Sequence, residues 1–163
     1  MEASFSSGTE QFDADVAIVG GGPVGTLLAI LLGRQGKRVT LVERWTKVYS
    51  RPRAVTYDHE IARILATLGI NSDNDSAINY HDELYYLKNA KGENLQIVDW
   101  DSMSASGWRV RYWFNQPDLE KRLAGIVDTL PNVKVMRGWQ AVGLEQDNSG
   151  ATLSLRRNPD EVG

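Results

Sequence analysis

With 163 residues, 42% of them hydrophobic, the chain can bury a real core and is of a size for one domain or slightly more. A formal net charge of −3 and the lack of any Lys/Arg run longer than a pair argue against a nucleic-acid partner. There is no cysteine, which removes disulfides, thiolate metal sites and cysteine nucleophiles; His59 and His81 stand too far apart for a zinc site, so no metal is expected.

In chain order, residues 1–14 are polar and aperiodic and are expected to form a flexible tail. They lack the basic start and apolar stretch of a signal peptide, so a cytoplasmic location is the default expectation. Val16-Ala17-Ile18-Val19 is continuously apolar, the pattern of a parallel strand covered on both faces. From Val24 the apolar Leu27, Leu28, Leu31 and Leu32 fall at helical spacing, and Gly36 sits where that helix should stop. This apolar stretch is far short of the roughly 20 residues a membrane span needs. Val39 to Val42 reads as a second buried strand, which completes a βαβ unit.

Residues 45–57 read as irregular, and 58–69 as a helix with Ile61, Ile64, Leu65 and Leu68 on one side and Gly69 at its end. Asn71 to Ser76 is a polar loop. Glu83 to Leu87 and Asn94 to Val98 flank a glycine-containing turn and suggest a hairpin. Trp108 to Phe114 alternates, which predicts a half-covered strand with Trp108, Val110, Tyr112 and Phe114 on one face. Pro117 then suits the first position of a helix running to about Leu130. Val133 to Met136 is a short strand, and Gln140 to Glu145 with Ala151 to Leu155 reads as a closing hairpin.

The most informative stretch is DADVAIVGGGPVGTLLAI, residues 13–30. Gly20, Gly22 and Gly25 form G-x-G-x-x-G directly after a strand and before a helix, the context in which the pattern carries meaning. The first glycine permits a tight turn, the second lets a pyrophosphate reach the backbone, and the third lets the helix pack close to the sheet. Pro23 and Val24 open the helix, whose free N–H groups and dipole favour an anion. Gly25, Ala29 and Gly33 place small residues on one helix stripe. Glu43 follows Gly20 by 23 residues, at the end of the second strand, where an acid hydrogen-bonds ribose hydroxyls. A carboxylate there repels a 2′-phosphate, so the pattern admits FAD or NAD and disfavours NADP as the first nucleotide.

DVAIVGGGPVGTLLAILLGRQGKRVTLVER, then RPRAVTYDHEIARILATLGI, then FNQPDLEKRL, taken as an ordered set, resemble the N-terminal part of the FAD-dependent aromatic-ring hydroxylases, the group A flavoprotein monooxygenases. The 3-(3-hydroxyphenyl)propionate hydroxylase-like branch is the most similar. The resemblance implies an α/β fold: a Rossmann-like FAD-binding βαβ with a parallel sheet, interleaved with β-hairpin segments of a substrate domain. It implies a division into a tail (1–14), an FAD-binding βαβ and following helix (15–79), substrate-domain strands (80–115) and a return to the FAD-binding domain (116–163). On this resemblance, Gly20, Gly22, Pro23, Val24 and Gly25 hold the pyrophosphate and Glu43 the ribose. Arg44 lies toward the adenosine side, Arg53 against the flavin or its phosphates, and Gln116 touches the cofactor from a helix start. It further implies NAD(P)H as co-substrate, oxygen, and a small phenolic or aromatic substrate. Members of that family are much longer and carry Asp-Gly and Gly-Asp motifs after the closing hairpin; neither occurs here. The chain is therefore expected to be a fold incomplete relative to the family, with a remaining C-terminal portion as its partner and no turnover of its own. Catalytic residues are left unassigned, and a homodimer is left open.

Plainer readings stand beside these. Arg44 and Arg53 suit solvated loop positions, and Gln116 suits a helix N-cap. Trp108, Tyr112 and Trp113 could line a substrate pocket, although aromatics at alternating strand positions mostly pack cores. His59 and His81 read as surface histidines, and Asp73, Asp75, Asp82 and Glu83 as solvated acids without the spacing of a calcium loop. The alternatives to a hydroxylase are an NAD-dependent dehydrogenase, which leaves the Arg53 and Gln116 segments unexplained, and a non-catalytic dinucleotide-binding fragment.

Overall fold

A computed structural model describes residues 13–48, 50–51 and 53–158. Its elements, in chain order, are β1 (Val16–Val19), α1 (Pro23–Arg34), β2 (Val39–Glu43), β3 (Thr56–Asp58), α2 (His59–Ala66), β4 (Ile78–Tyr80) and β5 (Leu84–Lys88). They continue with β6 (Asn94–Asp99), β7 (Arg111–Phe114), α3 (Gln116–Val127), β8 (Val133–Arg137), β9 (Trp139–Gln146) and β10 (Ala151–Arg157). The chain divides into two compact units, residues 1–48 with 123–163, and residues 49–122. The boundaries expected at 79/80 and 115/116 both fall inside the second unit, and the tail expected over residues 1–14 lies outside the described residues except for Asp13 and Ala14.

In the first unit β2 lies between β1 and β8, all three parallel, with Val16 opposite Val39 and Val39 opposite Val133. Val39, Leu41 and Val42 are fully buried, as a central strand requires. The expectation for β1 needs correction: Ile18 is buried, but on the opposite face Ala17 is exposed and Val19 is 60% exposed, so among the described residues only one face of β1 is covered. Helix α1 begins on a proline whose missing N–H costs nothing there. It ends where Lys37 N–H donates to the Leu32 carbonyl and Gly36 takes φ +80, a conformation in which any Cβ would crowd its own backbone and which glycine adopts freely. The small-residue stripe does what its spacing suggests. Ala29 is fully buried, and a Cβ on Gly33 would lie 2.5 Å from Val133 Cγ2. Asn132 ties the two elements further, its Nδ2 donating to the carbonyls of Gly33 and Lys37 at 2.8 and 2.7 Å. The closing hairpin forms as β9 and β10, antiparallel, with a register shift at Ser154/Leu155.

In the second unit β7 lies between β3 and β4, antiparallel to both. Tyr57 stacks on Tyr112 at 5.3 Å and Phe114 tilts against the same ring, forming the aromatic core of this sheet. Burial raises the phenol pKa of both tyrosines above the usual range. Two short strands are not legible in the sequence. Residues 56–57 fall in the segment read as irregular, Asp58 at the start of the expected helix and 78–80 in no element, since three residues show no period; both strands are defined by pairing with β7. The predicted strand from Trp108 shrinks to Arg111–Phe114, because residues 102–110 close on themselves. Ser104 N–H donates to the Trp108 carbonyl, Val110 N–H to the Ser102 carbonyl, and Met103 bridges Arg109. Helix α2 is capped by Asp58, whose Oδ1 accepts from the Glu60 and Ile61 amides, both at 3.1 Å. The β5–β6 ribbon is the expected hairpin. Helix α3 starts one residue earlier than predicted, and Asn115, not Gln116, acts as its cap by accepting from Asp118 N–H at 3.3 Å.

Two solvated assignments are overturned. Asp75 is buried, its carboxylate accepting from Arg122 Nε at 2.9 Å and from Ala77 N–H at 3.0 Å. His81 is buried as well, with Trp113 stacked on it and Trp100 edge-on, both at 5.0 Å. Each burial depends on partners distant in sequence, which local polarity does not reveal.

Candidate functional site

The glycine turn joins β1 to α1. Gly20 has φ +109, accessible without strain only to glycine, and its N–H donates to the Val42 carbonyl at 2.8 Å, fixing the turn on the end of β2. A Cβ on Gly25 would fall onto the Gly20 carbonyl oxygen, so the third glycine is demanded by contact of helix and turn. Thr26, buried one residue further, donates its hydroxyl to the Gly21 carbonyl at 3.1 Å. Gly22 differs from these: its backbone is ordinary extended chain (φ −74, ψ −173), and a Cβ there would meet no atom within 4 Å. Space, not strain, is what Gly22 provides. The amides of Gly22, Val24 and Gly25 have no acceptor among the described residues, and no side chain caps α1. Bare backbone, unpaired N–H groups and the positive end of a 12-residue helix make a cradle that fits a diphosphate.

Glu43 closes one side of the turn. Its Oε2 accepts from Gly21 N–H at 2.7 Å and its Oε1 from Trp45 N–H at 2.8 Å. A Cβ on Gly21 would lie 2.8 Å from Glu43 Cβ, which explains the middle glycine of the GGG run, at a position the G-x-G-x-x-G pattern leaves open. Each carboxylate oxygen keeps acceptor capacity beyond its one amide, so the side chain can hold the turn and still receive hydroxyl donors. Arg44 is exposed, with its guanidinium 4.8 Å above the Trp45 ring.

The other two predicted residues belong to the second unit. Arg53 lies in an exposed loop. Gln116 is buried, with Oε1 accepting from Ala54 N–H at 2.9 Å and Nε2 donating to Glu120 Oε1 at 2.6 Å.

A family described as "FAD binding domain" matches residues 13–163. The chain belongs to that family. One relative of this FAD binding domain, named probable NADH-specific resorcinol 4-hydroxylase, from Rhodococcus jostii (strain RHA1), is 36% identical over 139 residues, 85% of this chain and 26% of its own length. The 3-(3-hydroxy-phenyl)propionate/3-hydroxycinnamic acid hydroxylase of Comamonas testosteroni is 31% identical over 156 residues, 96% of this chain and 26% of its own. Among solved structures, p-nitrophenol 4-monooxygenase PnpA from Pseudomonas putida DLL-E4 superposes with a TM-score of 0.69 at 25% identity, covering 86% of this chain and 38% of that one. The chain thus spans about a quarter of the length of those curated relatives.

Within the second unit of the FAD binding domain, an open groove of about 350 Å³ is lined by Val55, Ala77, Ile78, Trp113 and Phe114, with Ser76 and Asn79 at its polar edge. Of the three aromatics weighed between core and pocket, Trp113 lines this groove, Tyr112 is buried in the sheet, and Trp108 lies in the 102–110 turn. Sequence reasoning did not find Glu120, a buried acid; its spacing of four from Gln116 on a helix was the available signal. Among the described residues no group of three or more His, Asp or Glu side chains could hold a metal ion, and no helix is long and apolar enough to cross a membrane.

Proposed function

We propose that the chain is the FAD-binding part of an NAD(P)H- and oxygen-dependent flavoprotein monooxygenase acting on a phenolic or aromatic ring. The observation that carries this reading is the glycine cradle at Gly22. An extended glycine whose Cβ would meet no atom, with its own amide and those of Val24 and Gly25 lacking acceptors among the described residues, suits a ligand that must lie against the main chain. In this reading Gly20, Gly22, Pro23, Val24 and Gly25 hold the diphosphate, Glu43 receives the ribose hydroxyls, and Arg44 offers its guanidinium on the adenosine side. For the second unit, the proposal is that Arg53 donates to a phosphate or stacks on the flavin, as a planar cation can, and that Gln116 contributes to the cofactor's surroundings. Residues 80–115 are proposed as substrate-domain strands. The apolar, aromatic lining around Trp113 suits a flat ring.

FAD, when bound, supplies the redox chemistry with which NAD(P)H and oxygen hydroxylate such a ring. The chain's own part is to bind and orient: amides neutralise the diphosphate, Glu43 selects a free 2′-hydroxyl, and apolar side chains exclude water. The name of the Rhodococcus relative favours NADH as donor. The test is expression of the full reading frame that contains these residues. A yellow protein whose NADH or NADPH oxidation accelerates with a phenolic acid is the expected result. A colourless protein that binds NAD instead would overturn it in favour of a dehydrogenase.

A further inference from the structure

Gln116 and Glu120 lie four residues apart on one face of α3, and both are buried. A carboxylate can only accept and a backbone N–H can only donate, so the two partners of the Gln116 amide fix its orientation: Nε2 toward Glu120, Oε1 toward Ala54. Among the described residues Gln116 is the hydrogen-bond partner of Glu120. Folding stability does not account for such a residue. A buried acid held by one neutral amide is costly, and an apolar pair in place of both Gln116 and Glu120 would be as good or better for stability. What the acid does provide is direction. With Glu120 taking the NH2 group, the carbonyl is presented to the Ala54 amide, on a segment that is otherwise solvent-exposed. The same segment is held one residue on, where Phe114 N–H donates to the Val55 carbonyl at 2.9 Å.

We propose that Glu120 is a positioning residue. Through Gln116 it pins Ala54 and so sets where the adjacent Arg53 starts, preparing that arginine for the phosphate or ring of the cofactor before it binds. The proposal rests on the FAD reading given above. It accounts for a buried carboxyl that neither capping nor packing explains, and it gives Gln116 a role in the ligand-free protein.

The test uses the full-length protein and two readouts: amide hydrogen exchange at Ala54 without ligand, and FAD affinity by titration. E120M keeps the volume and removes the acceptor. It should weaken FAD binding and speed Ala54 exchange, each by about five- to tenfold, the loss expected for one hydrogen bond, and speed Ala54 more than the buried Tyr112 amide, which reports any general loss of stability from the unpaired Gln116 NH2. E120Q, which can still accept from Gln116 Nε2, should restore both to within about threefold of wild type. Q116M should reproduce the losses even if E120M does not fold. Ala54 exchange unchanged in either methionine variant would overturn the proposal, as would E120Q behaving like E120M. A wild-type protein that does not bind FAD would instead defeat the cofactor reading, while the exchange data would still judge the Glu120–Gln116–Ala54 linkage.

Discussion

Four glycines within six residues of one turn answer to different physical demands. Gly20 is needed for its backbone angle, Gly21 for clearance from Glu43, Gly25 for contact between helix and turn, and Gly22 for the space before it. Substitution should therefore separate stability from binding. G25A, which drives a Cβ onto the Gly20 carbonyl, should destabilise the fold by about 1–3 kcal/mol, the cost of an overpacked contact, read as a lower urea midpoint with or without ligand. At the same scale, three carboxyls are held below the usual range: Asp15 by hydrogen bonds from Arg38, Glu60 by Arg63, and Asp147 by Ser149. A lowered folded-state pKa stabilises above the unfolded value, about 4, and this stabilisation is lost as pH falls through the lower folded value. D15N should consequently lower the urea midpoint at pH 7, and the difference from wild type should shrink toward zero as pH falls through the lowered folded-state value of Asp15. A gap that persisted there would point to the neutral hydrogen bond and not to the charge.

At the scale of elements, what could be read from the sequence depended on length. Helix α1, strand β2 and helix α3 carry enough residues for a period or an unbroken apolar run to show, and their positions follow the pattern closely. Strands β3 and β4 have three residues each and exist because β7 offers a ladder between them. Alternation from Trp108 pointed to a longer β7, but a closed turn over 102–110 outcompeted it. In the candidate site the glycine turn and Glu43 were legible because their spacing is local. The links Gln116 to Ala54 and Asp75 to Arg122 join residues 62 and 47 positions apart, and nothing local announces them. Asp58 supplies a test of element-level stability. D58A should cost α2 about 1 kcal/mol, the usual worth of an N-cap, whereas D58N should keep most of it, since an amide oxygen can accept from the Glu60 and Ile61 amides in the same way. Chemical denaturation of the two variants checks this, and equal losses would mean that the cap bond is not what matters.

For the whole molecule, the parallel sheet of the first unit and the antiparallel sheet of the second are both expected of an α/β chain of this family, and the family match covers all but the first dozen residues. The account of function comes down to the ligand carried by the glycine turn. Isothermal titration of FAD into the wild-type protein and into G22V tests that most directly, with circular dichroism and a urea melt to establish folding. Because a Cβ at position 22 meets nothing and its backbone is ordinary, G22V should fold like the wild type yet lose FAD affinity by at least about a hundredfold, a branched side chain having taken the place of the diphosphate, roughly 2.7 kcal/mol of binding free energy. A folded G22V protein that binds FAD as tightly as the wild type would contradict the account.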